Sequence, residues 1–587
     1  MDLREIQETP IWGLYEKGRN YHRQTGVYVD TDRNYRFYNG NQWEGAKLGD
    51  VEPVQKNFIK PIVKYKQAVI HSNRYAAVFS SMNYADAFRA TAEKCCEMLN
   101  KYMERLWELD KMDDKLREAT MDAAINDEGI VYIYWNEEEG RPVHEVVKKN
   151  DVYYGNENSE DIQTQPYILL RKRMPVANAI DLAHSLGCTD KDAYIIPDND
   201  TMEQAGEAAK EEVDDMVTIV YKLYKNGGTV HYSVATRLVT ILDDVDLGIK
   251  LYPIAHMTWE RKEGSARGEG EVRNLIPNQI EVNKTEMRRV LTVKQQAYPL
   301  KVADQTKIAN PNALNTVGGT IWTNGQTVDD VHKVVGILPP AQMSTDVIQL
   351  QEDLINLSRE LAGAGETATG DIDPEQASGR AILAVRQASE APITAQKDKT
   401  KTLVEDCSRI DYEYLVAYSE DGVEMEQTVT DQAGQEITQI VVVPQSVLEQ
   451  LRASIKIEIT PVGAFDKFAK EQTIENLFVN GMFSVERLAE FEAYVDALDD
   501  DSVAPKKKLK GIAKHMREEQ RKIAMIQAQA QAMQQRAQQF LMEDPDGQAQ
   551  QIADAQMQLM QQEAQYAKQE QALDEEVPVE KVDESIQ

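Results

Sequence analysis

The spacing of apolar residues changes several times along this chain of 587 residues. In the first quarter, apolar positions recur at helical spacing, and they predict helices over about 12–45, 55–75 and 86–129. Asn39-Gly40 predicts a turn near the end of the first helix, and Pro61 lies near the first turn of the second. The chain therefore opens with a mainly helical part.

After residue 129 the pattern changes to one typical of strands. The stretch "GIVYIYWNEEEGRPVHEVVKKNDVYYG" (129–155) predicts a hairpin with "EEEG" as its turn. Residues 215–244 predict a second hairpin with Asn226-Gly227-Gly228 at its tip. Between them, 166–187 predicts a strand and a short helix, and the acidic, polar stretch 190–214 predicts a linker.

The middle of the chain alternates between helices and short strands. Residues 252–299 predict a strand, a glycine-rich turn and one long helix. This helix has an interrupted apolar face (Leu275, Ile276, Ile280, Val282, Val290) and polar edges (Asn278, Gln279, Asn283). Residues 300–336 predict short strands and turns, and 339–363 a second helix. Altogether the pattern predicts an α+β fold.

A long soft loop follows the second of these helices. "AGAGETATGDIDPEQ" (362–376) combines glycines and acidic residues with few apolar ones, which is typical of a functional or disordered surface loop. Ser378 can cap the helix behind it and Gly379 permits a sharp turn, so a long helix is expected over about 380–418.

Composition narrows the class of protein. Hydrophobic residues make up 42% and charged residues 28%, as in globular proteins, and the length predicts several subdomains. No apolar run reaches the length of a membrane span, and "MDLREIQETP" lacks the features of a secretion signal. The four cysteines are not spaced as a disulfide framework or zinc site, which favours reduced thiols in an intracellular compartment.

The net charge of −33 argues against a protein that grips nucleic acid, because phosphate binding needs a basic surface. Two interpretations stay open. The charge is either ordinary solvated surface or a surface that stays near DNA without holding it.

Enzyme motifs are mostly absent. "GLYEKGRN" (13–20) lacks the Lys-Ser/Thr pair of a phosphate-binding loop, and "RGEGEV" (267–272) lacks the third glycine of a dinucleotide fingerprint. The eight histidines are scattered, and the acidic "DIDPE" (371–375) has too few oxygens at fixed spacing for calcium. We therefore predict no catalytic or metal-binding residues, no cofactor and no enzymatic activity.

The order of these segments resembles the portal proteins of tailed bacteriophages over roughly residues 30–520. The similarity includes "YNGNQWEG", "KNFIKPIVKYKQAVI", the "EGIVYIYWNEEEGRPV" hairpin and the passage 252–299. It also includes the Ser-Gly-x-Ala motif at Ser378, Gly379 and Ala381.

The resemblance implies a domain for each part of the chain. The expected wing has a helical part (1–128) and a β-rich part (129–258). Two stem helices (259–299 and 339–362) enclose a clip (300–338). A tunnel loop (363–379) leads to a long helix and further wing strands (380–458), a helical crown (459–520) and a Gln-rich helical tail (521–587). Two alternatives stay open for the tail, a barrel or a disordered segment.

The resemblance also implies a function, with partners and a location. The protein would form a homo-oligomeric ring, expected to be a dodecamer, at one vertex of the capsid, in contact with the major capsid protein. Double-stranded DNA would pass through the ring during packaging and ejection. The terminase large subunit and later a head-tail adaptor would dock on the clip. The protein would be present in the host cytoplasm during assembly and then in the virion, with no membrane partner.

Two sets of residues carry the expected sites. The clip surface that faces the motor and adaptor would include Trp322, Thr323 and Asn324, although an aromatic residue at 322 could equally be core. The tunnel loop would line the DNA channel with Glu366, Thr367, Thr369, Asp371, Asp373 and Glu375.

Two other classes of protein compete with this interpretation. A packaging terminase would need a phosphate-binding loop, and the sequence lacks one. A scaffolding or other internal virion protein would suit the acidity and the Gln-rich tail, but the two β-rich hairpins argue against it.

Overall fold

The computed structural model describes residues 8–47, 52–81, 86–198, 215–297, 301–304, 306–316, 320–324, 334–338, 343–364, 391–430, 436–451 and 455–463, with a few isolated positions between 517 and 558. The chain divides into two compact units, Met1–Val462 and Gly463–Gln587, and the first contains nearly all of the described residues. These residues form both helices and strands, so the predicted mixed class is confirmed.

The first part of the chain is mainly helical, as predicted, but two of the three expected helices are each divided in two, the first at Gly26 and the third at Lys111. Its helices are α1 (Pro10–Thr25), α2 (Val27–Asn39), α3 (Ile59–Ile70), α4 (Asp86–Leu109) and α5 (Met112–Asn126). Gly40 ends α2 with a φ of 95°, a conformation that glycine adopts without steric cost.

The prediction that the second helix continues to residue 75 was wrong. Residues Asn73–Ser81 form strand β1. Tyr75 and Phe79 are buried in this strand while Val78 is exposed, so the alternation of a strand replaces helical spacing directly after His71.

Most strands belong to two antiparallel sheets. The three-stranded sheet has the order β3-β2-β9, and the five-stranded sheet the order β4-β5-β6-β7-β8. The strands are β2 (Glu128–Asn136), β3 (Arg141–Val147), β4 (Val152–Tyr154), β5 (Tyr167–Pro175), β6 (Met216–Asn226), β7 (Thr229–Ala235), β8 (Thr240–Asp246) and β9 (Ile254–Thr258). Helix α6 (Val176–Ser185) follows β5.

Both predicted hairpins are confirmed. The pair Asn136 and Arg141 closes the first around "EEEG", and the pair Asn226 and Thr229 closes the second around two glycines. The first hairpin ends at Val147, earlier than predicted, because β4 belongs to the other sheet.

Two helices enclose a small region of strands and turns, also as predicted. Helix α7 (Glu271–Ala297) is followed by β10 (Lys301–Ala303), a 3₁₀ turn (Pro311–Asn315) and β11 (Val335–Ile337), and then by α8 (Thr345–Leu361). β10 and β11 pair antiparallel, with Lys301 opposite Ile337 and Ala303 opposite Val335.

The remaining described elements are α9 (Thr394–Tyr418), β12 (Val423–Thr430), β13 (Glu436–Val443), α10 (Gln445–Leu451) and β14 (Ile455–Gly463). β12 pairs with β13, and β14 pairs with β1. An uninterrupted α-helix from about 380 was a wrong prediction, because Pro392 lies in a 3₁₀ turn (Ala391–Ile393) and α9 begins only at Thr394. Ser378 and Gly379 lie outside the described residues.

The largest hydrophobic core includes residues from α3, α5, β2, β9, the first half of α7, and α9. Helix α5 packs very close to β2, because a methyl group on Gly129 would lie 2.2 Å from the carbonyl oxygen of Ala119. Val272 and Ile276 of α7 are buried in this core, so the long helix begins inside the protein.

Candidate functional site

We refer to α7 and α8 as the stem, and to the described residues between 301 and 338 as the clip; the two helices lie antiparallel. The side chain of Asn278 donates a hydrogen bond to the hydroxyl of Ser358 (3.0 Å), and Gln351 donates to Glu286 (2.6 Å). The first contact joins the beginning of α7 to the end of α8. The second lies eight residues later in α7 but seven residues earlier in α8, so the two helices run in opposite directions. The antiparallel pairing places the end of α7 near the start of α8, where the strand-and-turn region joins them.

The expected polar edge of α7 is partly buried. Gln279 accepts a hydrogen bond from the backbone N–H of Phe58 (3.0 Å) and donates one to the carbonyl of Lys56 (2.9 Å). Asn283 accepts from the N–H of Lys56 (3.2 Å) and donates to Gln42 (2.5 Å). These amides therefore hold the irregular segment before α3, whose backbone groups would otherwise lack partners. The sequence predicted only that Gln279 and Asn283 lie on polar edges of this helix, and the structure shows both side chains to be buried.

Buried charges fix the first turn of α7. Glu271 forms an ion pair with Lys66 (2.6 Å) and accepts a hydrogen bond from the indole of Trp259 (3.1 Å). Asp127 accepts from the backbone N–H of Gly270 (2.7 Å) and pairs with Lys149. The end of the stem next to the core is therefore held by paired charges as well as by apolar packing.

Arg267, just before α7, lies at the centre of a buried cluster that also contains Glu128, Glu157, His22 and Tyr154. Its guanidinium donates to both oxygens of Glu157 (2.9 and 3.0 Å), to Glu128 and to the ring Nε2 of His22 (2.8 Å). It also lies over the ring of Tyr154, 4.9 Å from the centroid. The cluster joins α1, β2, β4 and the segment before α7, so it positions the base of the stem.

The protonation states in the cluster follow from burial and from Arg267. Burial and the nearby guanidinium lower the pKa of His22 to about 4, so its neutral ring accepts the hydrogen bond. Burial alone would raise the pKa of Glu128, but Arg267 and His256 together hold it below its ordinary value. A fully buried arginine is tolerated here because its charge is paired and hydrogen-bonded.

Sequence analysis did not find this cluster. The sequence predicted "RGEGEV" as part of a glycine-rich turn that does not bind a nucleotide, and it gave each histidine as isolated. One signal was present, a glutamate at the start of the otherwise apolar strand "EGIVYIYW", since an unpaired charge is not expected in such a strand. The structure also explains why residue 268 is a glycine: a methyl group there would lie 2.6 Å from the carbonyl oxygen of Glu260.

The clip contains the predicted residues Trp322, Thr323 and Asn324, and all three are exposed. Backbone hydrogen bonds hold them, from Ala309 to the carbonyl of Trp322 (2.8 Å) and from Asn324 to the carbonyl of Lys307 (3.0 Å). Trp322 is 66% exposed, so this aromatic residue is not part of the core of the chain.

Exposed apolar side chains concentrate on the stem and clip. More than half of the large apolar side chains that the described part of the chain exposes lie between residues 291 and 361: Leu291, Val293, Val302, Ile321, Trp322, Ile337, Leu338, Leu350, Leu357 and Leu361. On α8 the exposed leucines follow helical spacing and share one face, which we call the leucine stripe (Leu350, Leu357, Leu361). Exposed apolar side chains grouped on one helix face are typical of an interaction site, whereas those scattered singly are ordinary surface.

The predicted channel residues Glu366, Thr367, Thr369, Asp371, Asp373 and Glu375 lie outside the described residues. Both ends of their segment are described. A methyl group on Gly363 would lie 2.7 Å from Cβ of Pro392, so the chain leaves α8 and returns to α9 at one place.

A second buried ionic cluster, around His144, lies away from the stem. The ring Nδ1 of His144 is 2.8 Å from Asp110, and its Nε2 is 3.1 Å from Asp411 of α9. Burial would lower the pKa of His144, but the two carboxylates raise it to about 9. His144 is therefore a charged link between β3, the α4–α5 connection and α9.

Several features bear on chemistry and on membranes. In the part of the chain that the structure describes, no group of three or more histidine, cysteine, aspartate or glutamate side chains is arranged to hold a metal ion. Among the same residues, no helix has the length and apolar character needed to span a bilayer.

No protein-family model matches the chain, and no curated protein sequence matches it significantly.

Proposed function

We propose that this chain is the subunit of a portal ring through which a tailed bacteriophage packages and ejects its DNA. The observation that carries the proposal is the antiparallel pair α7 and α8 with a strand-and-turn clip at its outer end, on which apolar side chains are exposed. The order of wing strands, stem, clip, stem and α9 supports it, because the same order gave the resemblance in the sequence.

A ring gives these apolar side chains a physical purpose. A closed ring of identical subunits uses two different complementary faces on each subunit. The leucine stripe is a suitable candidate for one such face, since its burial against a neighbour would remove apolar surface from water. The acidic composition suits a channel along which DNA slides without being held.

The proposed partners follow from the portal role. The ring would occupy one vertex of the capsid in the virion, in contact with the major capsid protein. The clip, with Trp322, Thr323 and Asn324 exposed, would receive the terminase large subunit and then the head-tail adaptor. The loop between α8 and α9 would line the channel.

Electron microscopy of the purified chain tests the proposal. We expect closed rings with a central hole, while rods or amorphous particles would favour a scaffolding protein and overturn the portal assignment. Light scattering that shows a monomer at micromolar concentration across a range of salt concentrations would also contradict it.

A matched pair of variants tests the stem as the assembly surface. Leu357 and Leu361 are 50% and 75% exposed, so replacing both with glutamate is expected to abolish rings while the circular dichroism spectrum stays unchanged. Val29→Glu alters an aliphatic residue on α2 that is 67% exposed and should leave the rings intact. Normal rings in the double variant would exclude the leucine stripe from the subunit interface.

A further inference from the structure

A polar cavity of about 390 Å³ lies in the wing, apart from the stem and clip. It is bounded by α9, strand β9, the loop after β9 and the turn before β5. Its apolar lining includes Ile162, Ile254 and Met257. The remaining lining consists mostly of charged and hydroxyl-bearing side chains. Its volume lies in the range of small-ligand sites.

Two of the carboxylates that line the cavity already have partners. Glu160 accepts a hydrogen bond from the N–H of Gly264 (3.0 Å) and pairs with Arg261 (2.5 Å). Asp161 accepts from the N–H of Gln163 (2.8 Å). These contacts shape the wall of the cavity, and the charge of Glu160 is already paired with Arg261.

Asp406 is the third carboxylate that lines the cavity. Among the described residues, no hydrogen-bond donor or cation contacts its half-buried carboxylate. Burial raises the pKa of Asp406 to about 6, despite the opposing charges of Arg409 and His256. A partly desolvated carboxylate without a protein partner gains from contact with a cation.

The lining residues of α9 place a positive and a negative side chain at different points along the cavity. Lys399, Thr402 and Asp406 all line the cavity and lie at positions i, i+3 and i+7, on one face of the helix. At 1.5 Å per residue, Lys399 and Asp406 are separated by about 10 Å along the axis. Lys399 is exposed, as is Lys262 on the loop, and no carboxylate of the described residues forms an ion pair with either.

We propose that this cavity binds a basic side chain of a polypeptide, with its ammonium or guanidinium group on Asp406. The aliphatic part of the side chain would lie along Ile162, Ile254 and Met257, as long cationic side chains commonly lie on apolar surface. An acidic neighbour in the same polypeptide would pair with Lys262 and Lys399 at the opening. This proposal goes beyond the portal assignment and does not depend on it.

Peptide binding to the full chain tests the site. A fluorescently labelled acetyl-Glu-Arg-Glu-amide is titrated, with acetyl-Glu-Gln-Glu-amide as the control that keeps both glutamates and lacks the positive charge. We expect the arginine peptide to bind and Asp406→Asn to weaken it about tenfold, the usual effect of losing one charged hydrogen bond. Lys399→Ala should weaken it less, because an exposed ion pair contributes little.

Two further measurements exclude a merely structural role and an anion site. Asp406→Asn keeps the shape of the side chain and removes a carboxylate that lacks a partner, so the melting temperature should not fall. If the cavity instead bound inorganic phosphate, Asp406→Asn would strengthen that binding, because the carboxylate repels anions. That result would overturn the proposal, as would equal binding of the peptide by wild type and Asp406→Asn.

The source of the basic side chain can be a separate protein or a second copy of this chain. The Leu357→Glu, Leu361→Glu variant supplies unassembled subunits for the comparison. Peptide binding to both assembled and unassembled protein indicates a separate protein as the natural partner. Binding only to unassembled subunits indicates that a neighbouring copy fills the cavity. Absence of binding to both forms overturns the proposal whether or not rings are found.

Discussion

His144 gives the structure a pH dependence that can be measured. Its side chain is buried between Asp110 and Asp411, and replacing it with glutamine removes the charge while keeping a hydrogen-bonding side chain of similar length. The pKa of His144 rises from its ordinary value of 6.5 to about 9 in the folded protein. Since the folded pKa is the higher one, the stabilisation is fully present below about pH 6.5 and is lost as the pH rises through about 9.

The size of the effect follows from this shift. One pKa unit corresponds to about 1.4 kcal/mol, so the charged histidine contributes on the order of 3 kcal/mol at low pH. About 2 kcal/mol of this should be lost between pH 6.5 and 8.5. The wild-type chain should therefore lose this amount of unfolding free energy over that interval, and His144→Gln should not.

Urea unfolding at one fixed protein concentration measures the difference, because assembly also affects apparent stability. His184→Gln is the matched control. His184 also pairs with an aspartate, Asp192 at 2.8 Å, but both side chains are well exposed and contribute little. If His144→Gln and wild type lose the same free energy between pH 6.5 and 8.5, the charged state of His144 is refuted.

Three further predictions concern the base of the stem, the clip and the loop. Gly268→Ala should lower the free energy of unfolding in urea by about 1–3 kcal/mol, because its methyl group would meet backbone oxygens. Gly13→Ala is the control, since a methyl group there would have no atom within 4 Å and should leave the stability unchanged. Equal stability of wild type and Gly268→Ala would contradict the close packing. Trp322→Ala should leave rings intact and weaken motor docking in a pull-down; if both are unchanged, the clip assignment is wrong. Lysine at positions 366, 371 and 373 in place of Glu366, Asp371 and Asp373 should slow DNA packaging while rings still form, and a wild-type rate would end the channel-lining hypothesis.

Local sequence patterns predicted most of the elements. Both hairpins, the long helix α7 and the second stem helix α8 followed from spacing and turn residues, because each signal lies within a few neighbouring positions. The errors in the predicted elements lay where one predicted helix is two separate elements in the structure. Helical spacing extended past His71 although β1 begins at Asn73, and Pro392 interrupts the long helix expected from about 380.

The interactions between distant segments were beyond sequence analysis. Arg267 contacts His22, Glu128 and Glu157, which are separated from it by more than a hundred positions. No local pattern encodes such a cluster, because its members are brought together only by the packing of α1 and β2 against the segment before α7. The same holds for Gln279 and Asn283, whose amide groups resemble a solvated helix edge until the partner segment is known.

The contact between Gly363 and Pro392 has a consequence for the two helices on either side of it. Ala362, Ala364 and Ile393 are all buried in the largest core, so the end of α8 and the start of α9 are anchored at the same point. A displacement of α8 along its axis would therefore disturb the packing at the start of α9. The two helix ends share a single fixed point, as two arms of one bracket do.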